Sequence, residues 1–204
     1  MKFKLISFTL LASLLIGGFI NIKPVLANQP TQVQSIWSVF SSPQGGFRIL
    51  MPGQPQVTKQ KVKTKTGQVE VNLYSVERKE EGSKYTVAYI DYPTEYIDLL
   101  IKRNLVEQAI DTGKNTALSQ AKGTIISEEK ITLNGYQGKE VNYTKPGNLV
   151  IKQRIFLVGK RLYQFSAEVS KDKQKYLTKS ISGFCDSFTL LPRQTQASVT
   201  DSEK

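Results

Sequence analysis

The side chains that most often carry enzyme chemistry are scarce in this chain. None of its 204 residues is histidine, which removes Ser-His-Asp triads, Cys-His dyads and the usual zinc sites. Adjacent carboxylates occur at Glu128-Glu129 and at Glu80-Glu81. The first pair lies in a strand pattern, where neighbouring side chains point to opposite faces and cannot work as one dyad. The second sits in the turn "RKEEGSK", where acids are ordinarily solvated. "DTGKNT" contains Gly-Lys but lacks both the earlier glycine and the following hydroxyl of a phosphate loop. No Asp-rich calcium loop is present, and nothing singles out a Ser–Lys dyad. Cys185 is the single cysteine, so no internal disulfide can form, and its apolar setting reads as that of a small buried hydrophobe. The expectation is a non-catalytic protein with no cofactor and no metal.

Two clusters remain that could bind rather than catalyse. In "YTVAYIDYPTEY", Tyr85, Tyr89, Asp91, Tyr92 and Tyr96 gather at a strand-to-helix junction. Phenols lining a cleft, with Asp91 as the polar anchor, would suit a small ligand. The competing reading has the tyrosines half-buried at a sheet edge and Asp91 serving a turn or the helix start. In "VTKQKVKTKTG", Lys59, Lys61, Lys63 and Lys65 alternate and therefore share one face of a strand. The other face, Thr58, Gln60, Val62 and Thr64, is barely apolar, so this strand belongs at an edge or in a hairpin reaching past the core. Lysines on an edge block sheet-to-sheet aggregation, with Glu70 as a partner on the next strand. Four in a row exceed that need and concentrate positive potential, which attracts an acidic protein surface or an anionic membrane surface. Lys152 and Arg154 form a second same-face basic pair, and Lys160-Arg161 add charge at a turn. The basic stretch lacks interleaved aromatics for base stacking, which argues against nucleic acid.

The elements that must position these residues follow from periodicity. "MKFKLISFTLLASLLIGGFINIKPVLANQP" has a positive start at Lys2 and Lys4, an apolar run from Leu5 to Ile20, and small or modest side chains at Val25 and Ala27. It reads as a signal peptide, residues 1–27, cut after Ala27. A retained anchor is the alternative, for which the run is short against the ~20 residues a spanning helix needs. Residues 28–35 read as a mobile segment, 36–191 as one domain and 192–204 as a disordered tail. Strand patterns occur at "IWSVFSS", "GGFRILMPGQP", "VTKQKVKTK", "QVEVNLYSVERK" and "KYTVAYIDYP". Helical spacing then runs from Thr94, as N-cap, to Gly113, as stop, with a short second helix in "NTALSQA". Three strands follow, the first two joined by Asn134-Gly135, a hairpin signal. Gly159-Lys160 turns the chain into "RLYQFSAEV", a last helix covers about 172–184, and "FTLL" closes the domain. Hairpins dominate, so the fold class is α+β, a largely antiparallel sheet flanked by helices.

"GGFRILMPGQP", "GYQGKEV", "GKRLYQFSAEV" and "FCDSFTLL" resemble the PsbP-like superfamily from about Gly45 to Leu191. The resemblance implies an α/β/α sandwich around an antiparallel sheet. It also places the chain beside extrinsic proteins of the photosystem II lumenal face, related assembly factors and exported bacterial domains. Gly159, Tyr163, Phe165, Ser187 and Phe188 match positions that build this fold and not a site. With no histidine, any histidine-dependent metal site of the photosynthetic members does not carry over. Together these readings predict an exported accessory or assembly factor, in the periplasm or a thylakoid lumen, that docks an acidic partner at a membrane-associated complex. A small-ligand module built on the tyrosines around Asp91 is the alternative, and an enzyme the third reading.

Overall fold

The computed structural model describes residues 35–64 and 67–192. The expected signal peptide, most of the 28–35 segment, Lys65 and nearly all of the expected tail lie outside the described residues. Alternating apolar residues build two antiparallel sheets. The larger has seven strands in the order β3 (Gln56–Thr64), β4 (Gly67–Arg78), β5 (Ser83–Asp91), β9 (Arg161–Ser170), β8 (Leu149–Val158), β7 (Tyr136–Lys145) and β6 (Thr124–Leu133). The smaller joins β1 (Ser38–Ser42), β2 (Phe47–Met51) and the two-residue β10 (Thr189–Leu190). The helices are α1 (Thr94–Lys102), α2 (Val106–Ala121) and α3 (Gln174–Asp186). The fold class is α+β.

Each strand of the large sheet sends alternate side chains to opposite layers. On β9, Tyr163, Phe165, Ala167 and Val169 pack with Phe47, Ile49 and Met51 of β2 and with Ile181, Phe184 and Cys185 of α3. Leu162, one residue out of phase, packs instead with Ile97, Leu100 and Ile110 of α1 and α2. A helix pair therefore covers one face of the sheet, and α3 with the small sheet covers the other. The motif residues converge in the second layer. Phe188 stacks on Phe165 at 4.4 Å between centroids and on Phe47 at 5.5 Å. Ser187 Oγ accepts a hydrogen bond from the Leu50 N–H at 2.9 Å, and the Tyr163 hydroxyl donates to the Gly45 carbonyl at 2.7 Å.

The helical region departs from the expected layout. Helix α1 ends at Lys102, where Asn104 takes a left-handed conformation (φ 55°) and Leu105 N–H bonds back to the Leu100 carbonyl at 2.8 Å. Asparagine tolerates that conformation, so it stops the helix where apolar spacing alone would continue it. Gly113 does not end a helix but lies within α2. A Cβ there would meet Leu162 Cδ2 at 3.1 Å and Gln164 Nε2 at 3.2 Å, so the glycine lets α2 lie close to β9. Thr94 is the first residue of α1; Pro93 precedes it as the cap residue, with no side-chain cap.

Candidate functional site

The lysine stretch forms β3, at the edge of the large sheet. In the β3–β4 register Lys59 faces Asn72, Lys61 faces Glu70 and Lys63 faces Gln68. Strand β4 begins pairing with β5 only at Val71, opposite Ile90. Lys61 to Thr64 and their partners Gly67 to Glu70 therefore stand beyond the reach of β5, as a two-stranded projection. Lys59 and Lys61 are exposed. Lys59 Nζ lies 3.3 Å from Glu70 Oε1 with both side chains well exposed, so this contact contributes at most about 1 kcal/mol. Among the described residues no acidic side chain pairs with Lys61.

Lys152 and Arg154 share a face as expected, but they turn onto acids of their own chain. Glu140, on β7, has a side chain 4% exposed and lies 2.6 Å from both Lys152 Nζ and Arg154 Nε. Arg154 also reaches Asp186 at 2.8 Å and donates to the Cys185 carbonyl at 3.0 Å. Burial alone would raise the Glu140 carboxyl, and the two cations more than offset this, leaving it below the ordinary value. Cys185 is buried, and its thiol is pushed up to about 12 by that burial.

The five residues of the tyrosine cluster do not line one cleft. Tyr85 and Tyr89 lie in the core beneath the small sheet, 0% and 5% exposed, whereas Tyr92 and Tyr96 pack together on the α1 side. Asp91 is bound by the Arg161 guanidinium through two bonds of 2.6 and 2.7 Å. That guanidinium also sits 4.2 Å from the centre of the Tyr89 ring and donates to the Gln44 carbonyl at 2.9 Å. Asp91 and Arg161 are cross-strand partners, so the pair clamps β5 to β9 and both to the β1–β2 loop.

A further constellation, not evident in the sequence, lies under α2. Lys139 Nζ is held by Asp111 at 2.6 Å and Glu128 at 2.9 Å, and Lys114 Nζ by the same two acids at 3.0 and 2.7 Å. Both lysines are buried. Hydrogen bonds from Lys114 and Lys139 hold Glu128 below the usual carboxylate range, and the same lysines overcome the upward effect of burial on Asp111. Burial would lower Lys139, but its two carboxylate partners raise it. Nearby, Lys130 and Glu107 pair at 2.8 Å on the rim of a cavity of about 360 Å³. Ile110, Gln137 and Lys139 also line it. A second cavity of about 250 Å³ opens on the α3 side of the sheet, floored by Phe156, Phe165 and Phe188 and edged by Ile131, Arg154 and Asp186. Asp111 and Lys114 stand one helical turn apart, a detectable signal, but only the register of β6 and β7 brings Glu128 and Lys139 beneath them.

This two-layered covering of a seven-stranded antiparallel sheet is the PsbP-like fold. The solution structure of cyanobacterial PsbP (CyanoP) from Synechocystis sp. PCC 6803 is similar, with a TM-score of 0.50 and 14% identity. The match covers 82% of this chain and 99% of that one. A protein of unknown function from Pseudomonas aeruginosa, PA94, aligns over 78% of this chain and 99% of its own, at 10% identity and a TM-score of 0.34. No family model and no curated protein matches the chain.

Proposed function

We propose that this protein is an exported, non-catalytic accessory or assembly factor that docks an acidic surface of a membrane-associated complex through the β3–β4 hairpin. One observation carries the reading. Lys59, Lys61 and Lys63 alternate along an edge strand whose far end projects beyond β5, with Lys65 next in the sequence pattern, and Glu70 meets Lys59 only through an exposed contact at 3.3 Å. The other basic pair, Lys152 and Arg154, is neutralised internally by Glu140 and Asp186 and offers little to a partner. A cluster of like charges raises the encounter rate with an acidic patch and makes association sensitive to salt. The apolar N-terminal run supports export, and the likeness to a cyanobacterial PsbP makes a photosynthetic membrane the first place to look.

Membranes from native cells, washed at low and then high salt, test this directly. Wild type is expected to sediment with the membranes at low salt and to leave them at high salt, while the Lys59/Lys61/Lys63/Lys65→Gln variant stays in the supernatant throughout. Equal partitioning of the two proteins would remove the hairpin from docking.

A further inference from the structure

The two edges of the large sheet are unlike. Strand β3 carries the lysines, which repel an incoming strand. Strand β6, at the other edge, pairs only with β7 among the described residues, so one row of its backbone N–H and C=O groups faces outward. It contains no proline, and an irregularity between Ile125 and Ser127 leaves the stretch from Ser127 to Leu133 in regular register. The two cavities flank this same stretch on opposite faces. Lys130 lines the α2-side cavity, Leu133 the α3-side one, and Ile131 and Thr132 border both.

We propose that β6 captures an extended segment of a partner protein, which adds to the sheet as an eighth strand. Successive side chains of an added strand point to opposite faces, about 4.8 Å outside β6. Alternate residues of the segment therefore enter the two cavities in turn. The α3-side cavity, floored by three phenylalanines, accepts one large apolar side chain. The α2-side cavity, lined by Ile110 and Ile131 and rimmed by Glu107, Lys130 and Gln137, accepts a long side chain with an apolar stem and a polar end. Charge sets the neighbouring position. Glu129 is exposed, has no cationic partner among the described residues and lies on the same face as Ile131, two residues away. Its cross-strand neighbour Glu140 is already neutralised by Lys152 and Arg154, so the free acid there is Glu129. The segment recognised has a basic residue and a large apolar residue two positions apart, with a polar residue between them. Backbone bonds supply affinity and the alternating pockets supply selectivity.

A display library of random twelve-residue peptides, panned against the mature chain and in parallel against its Glu129→Lys variant, tests the proposal. Wild type is expected to enrich sequences with the basic–polar–apolar spacing. A synthetic peptide of the enriched sequence should shift the amide signals of Ser127 to Leu133. Glu129→Lys, an exposed change that leaves the core intact, should weaken it by about tenfold or more. The Lys59/Lys61/Lys63/Lys65→Gln variant should bind it as wild type does, which separates this edge from the docking hairpin. Identical enrichment on both targets, no enrichment on either, or amide shifts confined to other elements would overturn it.

Discussion

Glu140 shows how a single side chain decides whether nearby basic residues face outward or inward. Its carboxylate is almost fully buried and bridges Lys152 and Arg154, each about three-quarters buried or more. Replacing it with glutamine keeps the shape but leaves two cations without their shared anion. Removing one partner of a buried ionic cluster costs about 3 kcal/mol or more, because the remaining charge stays desolvated. Glu140→Gln is therefore expected to lower the urea midpoint by that equivalent with an unchanged m-value, while Glu129→Gln, at its exposed cross-strand neighbour on β6, leaves the midpoint within about 0.5 kcal/mol of wild type. Equal midpoints for the two variants would show that Glu140 does not hold the cluster. The sequence displays Lys152 and Arg154 as a same-face pair, and that much is legible. Their neutralisation is not, because it depends on the pairing of Glu140 with Arg154 across β7 and β8, a register that no local pattern encodes.

At the scale of elements, two glycines with different surroundings separate propensity from packing. Gly138 lies on β7 opposite Phe156, and a Cβ there would stand 2.3 Å from Phe156 Cδ1 and 2.5 Å from the Ile155 carbonyl oxygen. The ring would have to turn and the β8 backbone to move, so Gly138→Ala is expected to destabilise by about 2–3 kcal/mol. Gly113 meets only the ends of Leu162 and Gln164, which can shift. Alanine there gains up to about 1 kcal/mol of helix propensity against a modest packing cost, so Gly113→Ala should lie within about 1 kcal/mol of wild type. Thermal melts of both variants check the contrast, and a larger loss at position 113 would contradict it. The same residue marks where sequence reading failed. Glycine after an apolar helical run signals a stop, and only the closeness of α2 to β9 reveals another use for it. The hairpins were legible because turn chemistry is local: Asn134 and Gly135 both take positive φ, as a two-residue turn requires. The edge position of β3 was legible because neither of its faces is apolar enough to be covered twice. The cavities beside β6 were not, since they arise between residues far apart in the chain.

For the whole molecule, charge and fold act in opposite directions as the solution is acidified. The full chain carries +11, and removal of residues 1–27, with three lysines and no acid, would leave +8. All 17 acidic side chains lie after residue 27, so full protonation would take the chain without that segment toward +25. Those of Glu107, Asp111, Glu128 and Glu140 are held below their ordinary values by lysine or arginine partners. A depressed carboxylate binds fewer protons in the native state than in the unfolded chain, so stability falls as pH drops. The contribution is fully present above the ordinary carboxylate values of about 4 and disappears as pH falls through the folded ones. Stability is therefore expected to be nearly constant from pH 8 down to about 5 and to fall steeply below about 4. Two causes combine in that limb and respond differently to salt. General repulsion among exposed cations is screened over about 10 Å at 0.1 M and about 3 Å at 1 M, whereas the buried contacts of Glu140 are screened much less. Sodium chloride should therefore restore only part of the stability lost at pH 3, and Glu140→Gln should make the acid limb shallower at either salt concentration because one depressed titration is gone. Urea titrations at pH 3 and pH 7, with and without 1 M salt, measure both effects. Complete recovery in salt, with the Glu140→Gln limb parallel to that of wild type, would assign acid sensitivity to surface repulsion alone and remove the buried cluster from the balance.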